Sequence, residues 1–157
     1  MVWREVDSST GEFHVWILED KIISGYFYEP VDVNLITDDV ERFADITQFD
    51  LKKVKEVVEN VDYYITNSIE FIKSELLSTP ELFGITALEA DKYRDVSATD
   101  FPVDMPEICF NPDKSWFIKF AYADFPSVEY GLGVIVHFDM NDSPFELNIP
   151  SMKDIDC

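Results

Sequence analysis

Two histidines and an aspartate are the residues whose types could make a metal site. His137 and Asp139 are separated by one residue in VIVHFDM, so on a strand both side chains would point to one face. A zinc site needs three or four such ligands, and the other histidine of the chain is His14. A His14–His137–Asp139 site would require that the two strands adjoin. The apolar flanks favour the alternative of ordinary strand residues, and we predict no metal and no other cofactor.

A second candidate chemistry is phosphate binding at the glycines of the stretch YGLGVIV. Gly131 and Gly133 form a G-x-G pair, but the dinucleotide fingerprint also needs a third glycine and a following helix. Here an apolar strand follows instead. We interpret the two glycines as backbone features at the entry to a strand.

Nucleophilic and acid–base catalysis have little support. Cys109 and Cys157 have no C-x-x-C spacing, and the chain contains no G-x-S-x-G sequence. Among 32 acidic residues, a pair of carboxylates is expected by chance and cannot be singled out. The sequence therefore favours a binding protein without catalytic activity, and a metal-dependent enzyme is the third alternative.

The charge of the chain narrows the class of partner. Twelve Lys and Arg against 32 Asp and Glu give a formal net charge of −20. Nucleic-acid binding depends on basic residues that neutralise phosphates, so we predict no direct nucleic-acid partner and no binding to an anionic membrane surface. A basic protein is the partner that such a charge favours. The alternative is an acidic domain with a housekeeping or phage-encoded role, including a nucleic-acid mimic.

The compartment follows from the termini and the cysteine content. The N-terminal MVWREVDSSTGEF has no basic segment followed by an apolar one, and no apolar run approaches the length of a membrane span. Two cysteines without a disulfide pattern are typical of a reducing compartment. We therefore expect a cytoplasmic protein.

Local patterns predict strands before the helices. Aromatic-rich or alternating segments at 12–18, 22–28 and 31–37 predict three strands, and residues 19–21 would join the first two in a hairpin. A short helix or turn is predicted at 40–46.

Two helices are predicted next. Apolar residues spaced three or four apart predict one long amphipathic helix over residues 50–77. Thr79 as N-cap and Pro80 at the first position predict the start of a second, short helix. The acidic, proline-marked residues 89–106 predict an irregular connection.

In the last third of the chain, the sequence pattern predicts strands separated by turns. These are residues 107–110, 115–123, 130–140 and 145–149. In the second of them Tyr122 continues the alternation of Trp116, Ile118 and Phe120. The whole chain, 1–157, then forms a single α+β domain: a mostly antiparallel sheet of about six to seven strands, with one long amphipathic helix and a short helix packed on one face.

The negative charge is segregated along the chain. Residues 22–41 and 120–152 contain no lysine or arginine, whereas the predicted long helix holds several lysines. Acidic residues are dense in 89–107 and in the turns of the last third. A surface of one sign accelerates association with a basic partner, and aromatic residues beside the acids would supply anchors.

In size, acidity, α+β pattern and lack of a catalytic motif, the chain resembles the small acidic immunity proteins that bacteria encode beside secreted toxins. These belong to contact-dependent growth inhibition and polymorphic toxin systems. The resemblance implies an antitoxin function, in which the protein binds and neutralises a cognate toxin, often a basic nuclease.

The sequence therefore predicts a toxin inhibitor that occludes the active or substrate-binding surface of a cationic partner, with its oligomeric state left open. The candidate partner-binding residues are acids and neighbouring aromatics of the acidic segments. They are Asp91, Tyr93, Asp95, Asp100, Phe101, Asp104, Asp124, Phe125, Glu129, Tyr130, Asp139, Asp142 and Glu146.

Overall fold

Seven strands form one sheet in which spatial order follows chain order. The computed structural model describes residues 1–7, 14–38 and 45–152. Within these ranges the strands are β1 Trp3–Asp7, β2 His14–Leu18, β3 Asp32–Thr37, β4 Val103–Phe110, β5 Trp116–Ala123, β6 Val134–Phe138 and β7 Pro144–Asn148. The helices are α1 Leu51–Glu59, α2 Val61–Ser78 and α3 Ala87–Asp91, with 3₁₀ turns at Ile46–Gln48 and Pro80–Phe83.

The sheet is mostly antiparallel, as predicted for an α+β fold. Every neighbouring pair is antiparallel except β3 and β4, which are parallel. Parallel neighbours cannot be joined by a tight turn and need a crossover connection. The helices lie in the connection between β3 and β4, so they supply that crossover.

One core lies between the helices and one face of the sheet. Alternate residues of β2, β5 and β6 are buried, as in Trp116, Ile118 and Phe120 of β5. The rings of Trp116 and Phe138 stack with centroids 4.0 Å apart, and Tyr64 of α2 meets Trp116 edge-on at 5.2 Å. The period-2 pattern of the strands and the helical stripe of α2 thus bury against each other.

The predicted long helix is interrupted at Asn60. Asp50 caps α1 by accepting a hydrogen bond from the Lys53 backbone N–H at 3.1 Å, close to the predicted start. Asn60 leaves helical geometry (φ −121°, ψ 35°), and its side-chain amide donates to the Glu56 carbonyl at 2.9 Å. Asparagine competes for backbone hydrogen bonds in this way, so the helix is interrupted while the buried stripe continues from Val57 to Val61.

The predicted strand at 22–28 is not formed, and its hairpin with 12–18 is wrong. In this segment a single bridge joins Ile22 to Val31. The Asp62 carboxylate of α2 accepts hydrogen bonds from the Ser24 hydroxyl (2.6 Å) and the Gly25 backbone N–H (3.0 Å). These contacts hold the segment as a loop against α2.

The place beside β2 is taken by β1, which the sequence patterns did not single out. Trp3 pairs with Leu18 in an antiparallel register. The count of three strands before the helices is therefore right, but one of the three differs. The predicted element at 40–46 lies outside the described residues except for its last two positions.

The elements after α2 differ from expectation mainly in their bounds. The predicted short helix is a 3₁₀ turn with Pro80 in its first positions, and Gly84 separates it from α3. The predicted connection 89–106 contains the end of α3 and the first residues of β4. β6 is shorter than the predicted strand 130–140, since the chain before Val134 forms turns. In the described part of the chain, no helix is long and apolar enough to cross a membrane.

The glycine pair has the backbone role that the sequence indicated. Gly131 and Gly133 both have positive φ, at 87° and 65°. A Cβ on Gly133 would lie 1.9 Å from the Phe120 carbonyl oxygen, whereas a Cβ on Gly131 would meet nothing within 4 Å. Gly133 therefore allows the turn to approach β5 closely.

Gly133→Ala should destabilise the protein by at least about 3 kcal/mol, because conformational strain adds to a backbone clash. Gly131→Ala is the matched control: it has the strain without the clash, so it should cost about 1 kcal/mol. Denaturant unfolding of the two variants measures the difference. Equal losses would contradict the close approach at Gly133.

Candidate functional site

The His14–His137–Asp139 alternative is not assembled by the fold. His14 lies on β2 and His137 on β6, four inter-strand spacings or about 19 Å apart. The Asp139 carboxylate accepts hydrogen bonds from the backbone N–H groups of Asn141 (2.8 Å) and Ser143 (3.1 Å) and so shapes the β6–β7 turn. Among the described residues, no group of three or more His, Cys, Asp or Glu side chains could hold a metal ion.

Cys109 is a core residue rather than a reactive thiol. It is 3% exposed, and burial raises the pKa of the thiol to about 12. The thiol therefore stays protonated at neutral pH and is a poor nucleophile. Cys157 lies outside the described residues.

Two predicted aromatic anchors are buried instead of exposed. Phe101 is 4% and Phe125 is 5% exposed. Their rings pack with Tyr93, which is half-buried, and Phe125 also meets Phe83 with centroids 5.3 Å apart. The two phenylalanines thus close the core beneath the acidic connection, and the prediction of surface anchors at these positions is wrong.

Asp142 is tied into the structure by two hydrogen bonds. Its carboxylate pairs with the Lys53 ammonium of α1 and accepts a hydrogen bond from the Trp116 indole at 3.1 Å. The side chain is 17% exposed. The hydrogen bond from Lys53 to Asp142 raises the pKa of the lysine. This contact fastens the β6–β7 turn to the helical layer, so Asp142 acts mainly inside the molecule.

Other predicted acids also have local partners. Asp91 pairs with the Arg94 guanidinium at 2.8 Å, and Asp100 accepts a hydrogen bond from the Ser97 hydroxyl at 3.2 Å. Asp95 is exposed, and Glu146 lies exposed on the edge strand β7 across from His137. These residues are spread over the surface rather than gathered at one place.

A surface patch forms where the start of β4 meets the end of β5. We define the tyrosine–methionine patch as Met105, Tyr122 and Tyr130, which are 46%, 40% and 73% exposed. The two tyrosine rings lie with centroids 6.2 Å apart at an angle of 58°. The Tyr130 hydroxyl donates a hydrogen bond to the Met105 sulfur at 3.5 Å. Exposed apolar and aromatic groups in contact are typical of a protein-binding surface.

The backbone at Met105 is unusual for a strand. Its φ is 57°, a left-handed conformation that costs a residue other than glycine about 1–2 kcal/mol. Strand pairing is kept on both sides, between Asp104 and Tyr122 and between Pro106 and Phe120. The Asp104 carboxylate accepts a hydrogen bond from the Met105 backbone N–H at 2.8 Å. Such strain persists only where neighbours impose it, and it is concentrated at functional sites.

Three carboxylates surround this patch. Asp104 pairs across the sheet with Tyr122, Asp124 follows Tyr122 by two residues, and Glu129 precedes Tyr130. All three are exposed, and none takes part in an ion pair within the described ranges. Glu129 does accept a hydrogen bond from the Met152 backbone N–H at 2.9 Å. As far as the structure describes the chain, the patch is therefore an aromatic surface bordered by carboxylates without an ion pair.

Sequence reasoning found four of these six residues and missed Met105 and Tyr122. Tyr122 continues the alternation of the buried residues of β5, so its pattern indicated the core. Burial depends on what covers that end of the strand, which the pattern does not contain. No sequence pattern indicated Met105, since the following Pro106 favours extended backbone there rather than the left-handed conformation observed.

A groove at the junction of α1 and α2 is a weaker candidate. It measures about 490 Å³ and has exposed Ile23 and Tyr63 in its walls, together with Lys21. Asp62 also lines it, but that carboxylate already holds Ser24 and Gly25. Glu59 and Asn60 of the lining are also engaged, with Lys55 and the Glu56 carbonyl, so the groove offers few polar groups to orient a ligand.

Comparisons with models of protein families, with curated proteins and with solved structures found no match to this chain.

Asp142→Asn should lower the free energy of unfolding by about 1–2 kcal/mol near neutral pH, because Lys53 loses its charged partner. Glu59→Gln, which removes the exposed Lys55–Glu59 pair, is the control and should cost about 0.5 kcal/mol or less. Denaturant unfolding at several pH values checks both.

The pH dependence of this effect has a defined sign. The pKa of Lys53 is raised above the ordinary 10.5 in the folded state. Its contribution is therefore complete below the pKa of an unfolded lysine and is lost as pH rises through the folded value. The stability difference between the native chain and Asp142→Asn should be constant from about pH 8 to pH 9.5 and shrink above about pH 10.5. A difference that grows with rising pH would contradict the ion pair.

Proposed function

We propose that this protein is an immunity protein that neutralises a cognate cationic toxin, a nuclease, by occluding its active or substrate-binding surface. One observation supports the proposal above the others. The tyrosine–methionine patch combines exposed rings with Asp104, Asp124 and Glu129, whose carboxylates have no ion pair within the described residues. This combination fits a basic protein surface, because buried aromatic contacts supply affinity while charges select the partner.

The mechanism is competition for the residues that hold nucleic acid. A nuclease binds the phosphates of its substrate through lysine and arginine. Carboxylates around the patch would pair with these residues, and Tyr122 and Tyr130 would pack against the surface between them. The toxin would then be unable to bind its substrate. The proposal places this reaction in the cytoplasm, where a nuclease would otherwise reach nucleic acid.

The net charge of −20 contributes in a different way from the patch. A strongly negative molecule attracts a basic one over long distances and so raises the association rate. That attraction is screened by salt, whereas close aromatic packing is not. Association should therefore slow as salt rises, and dissociation should depend mainly on the patch.

The direct test is co-expression with the toxin domain encoded by the adjacent gene. The proposal expects that this protein restores growth and that the purified pair forms a stable complex, more weakly at high salt. Growth arrest despite co-expression, together with no complex at low salt, would refute it. Competition with DNA for a DNA-binding protein, without rescue, would instead support a nucleic-acid mimic.

Neutralising the three carboxylates of the patch should weaken binding to the toxin. In the triple variant Asp104→Asn, Asp124→Asn and Glu129→Gln, affinity at low salt should fall roughly 10- to 100-fold, mostly through slower association. Surface plasmon resonance at two salt concentrations measures both rates.

The control variant makes the same change of charge elsewhere. Glu19, Glu29 and Glu70 are exposed, and each can be changed to glutamine. At moderate salt, where long-range attraction is screened, this variant should lose no more than about twofold in affinity, whereas the variant of the patch carboxylates should lose more. Equal losses in the two triple variants would show that total charge, rather than the patch, governs binding.

A further inference from the structure

The arrangement of the tyrosine–methionine patch is suited to one kind of side chain. The centroids of Tyr122 and Tyr130 are 6.2 Å apart. A cation seated over the midpoint of the two rings would lie within about 6 Å of both centroids, which is the range of a cation–π interaction. The two rings can therefore stabilise the same positive charge.

Met105 prepares the patch for binding. Tyr130 is 73% exposed, and a side chain so exposed ordinarily samples several rotamers. The hydrogen bond from the Tyr130 hydroxyl to the Met105 sulfur restrains the ring beside Tyr122. A restrained ring loses less conformational entropy when a partner binds. The strained backbone at Met105 thus has a use, because it presents the sulfur where Tyr130 can reach it.

No residue of the patch carries a positive charge that could pair with the neighbouring carboxylates. Asp104 and Glu129 are exposed beside the rings, and in the part of the chain that the structure describes no lysine or arginine pairs with either. The opposite situation occurs at Asp142, where the chain supplies Lys53 as the cation. A partner that presents a cation would therefore complement these carboxylates.

Arginine matches the patch better than lysine. A guanidinium group is planar, so it can stack on an aromatic face and still direct its N–H groups in the plane toward a carboxylate. An ammonium group is compact and strongly hydrated, and it cannot do both in the same way. The rings and the neighbouring carboxylates at this site offer both contacts.

We infer that the tyrosine–methionine patch is a receptor for an arginine side chain of the partner protein. The guanidinium stacks on one of the two tyrosine rings, lies within cation–π distance of the other, and pairs with Asp104 or Glu129. This inference rests on the proposed function in one respect: the arginine is assigned to the phosphate-binding surface of the toxin.

The test uses a peptide probe and does not need the toxin. A short peptide of alternating glycine and arginine is titrated into the full-length protein, with peptides that carry lysine or neutral citrulline in place of arginine. NMR of ¹³C-methyl methionine follows the Met105 methyl group, and the Met140 methyl group, which is 98% exposed and lies on the β6–β7 turn, is the internal control. At the same concentration, the arginine peptide should shift the Met105 methyl resonance at least threefold more than the lysine peptide does. The citrulline peptide should shift neither the Met105 nor the Met140 methyl resonance.

Variants separate the rings from the general charge. Tyr122→Leu and Tyr130→Leu should each weaken binding of the arginine peptide about 3- to 10-fold, and Tyr130→Phe, which keeps the ring, should remain within about threefold of the native chain. Tyr63→Leu is the matched control, since Tyr63 is also an exposed tyrosine but lies on α2, and it should have no effect. Unfolding curves of all four variants establish that the fold is retained.

The outcomes distinguish this inference from the proposed function. Equal binding of arginine and lysine peptides, or leucine variants that bind as the native chain does, would overturn the receptor for arginine while leaving toxin neutralisation intact. Arginine-selective binding at Met105 that the leucine variants weaken by the expected factor would support the receptor. If the adjacent toxin is then not neutralised, the proposed function fails and the receptor stands.

Discussion

The parallel pairing of β3 with β4 is the constraint on which the rest of the structure depends. It joins Asp32 to Glu107 and Leu35 to Phe110, and it requires the chain to return to the same end of the sheet. The helices make this return, which places them over one face and gives the sheet its core. The pairing also begins four residues after the start of β4. The first residues of β4 therefore have β5 as their one neighbour among the described strands, and Met105, between the paired residues Asp104 and Pro106, lies in this part of β4.

This register explains why the patch lies where it does. A strand with neighbours on both sides has its backbone fixed by hydrogen bonds in both directions, and a left-handed residue there would break them. At Met105 the side toward β3 is not paired, so the unusual conformation interrupts less of the sheet. Tyr122 pairs with Asp104 in this part of the sheet and is 40% exposed, although it continues a buried pattern.

The scarcity of basic residues divides the acids into two classes. Lys53 and Lys119 pair with Asp142 and Glu107 in partly buried places, where an unpaired charge would be costly. Burial raises the pKa of Glu107, and Lys119 opposes this increase. With 12 basic against 32 acidic residues, most carboxylates cannot be paired and must remain in solvent. The cost of their mutual repulsion is then concentrated on the surface, where a basic partner would relieve it.

The sequence by itself determined the features that depend on near neighbours along the chain. The alternation of β3 and β5, the helix end before Pro80 and the positive φ of Gly131 follow from local sterics and periodicity, which act in any fold. Tertiary structure alone decided the features that depend on distant residues. Asp62 holds residues 24–25 in a loop instead of a strand, and Phe125 becomes core because Phe83 and Phe101 surround it. Asp142 forms an ion pair with Lys53, 89 positions away, whereas Asp104 has no ion pair among the described residues. A carboxylate has the same local pattern in both cases, and its role depends on which side chains the fold brings within reach.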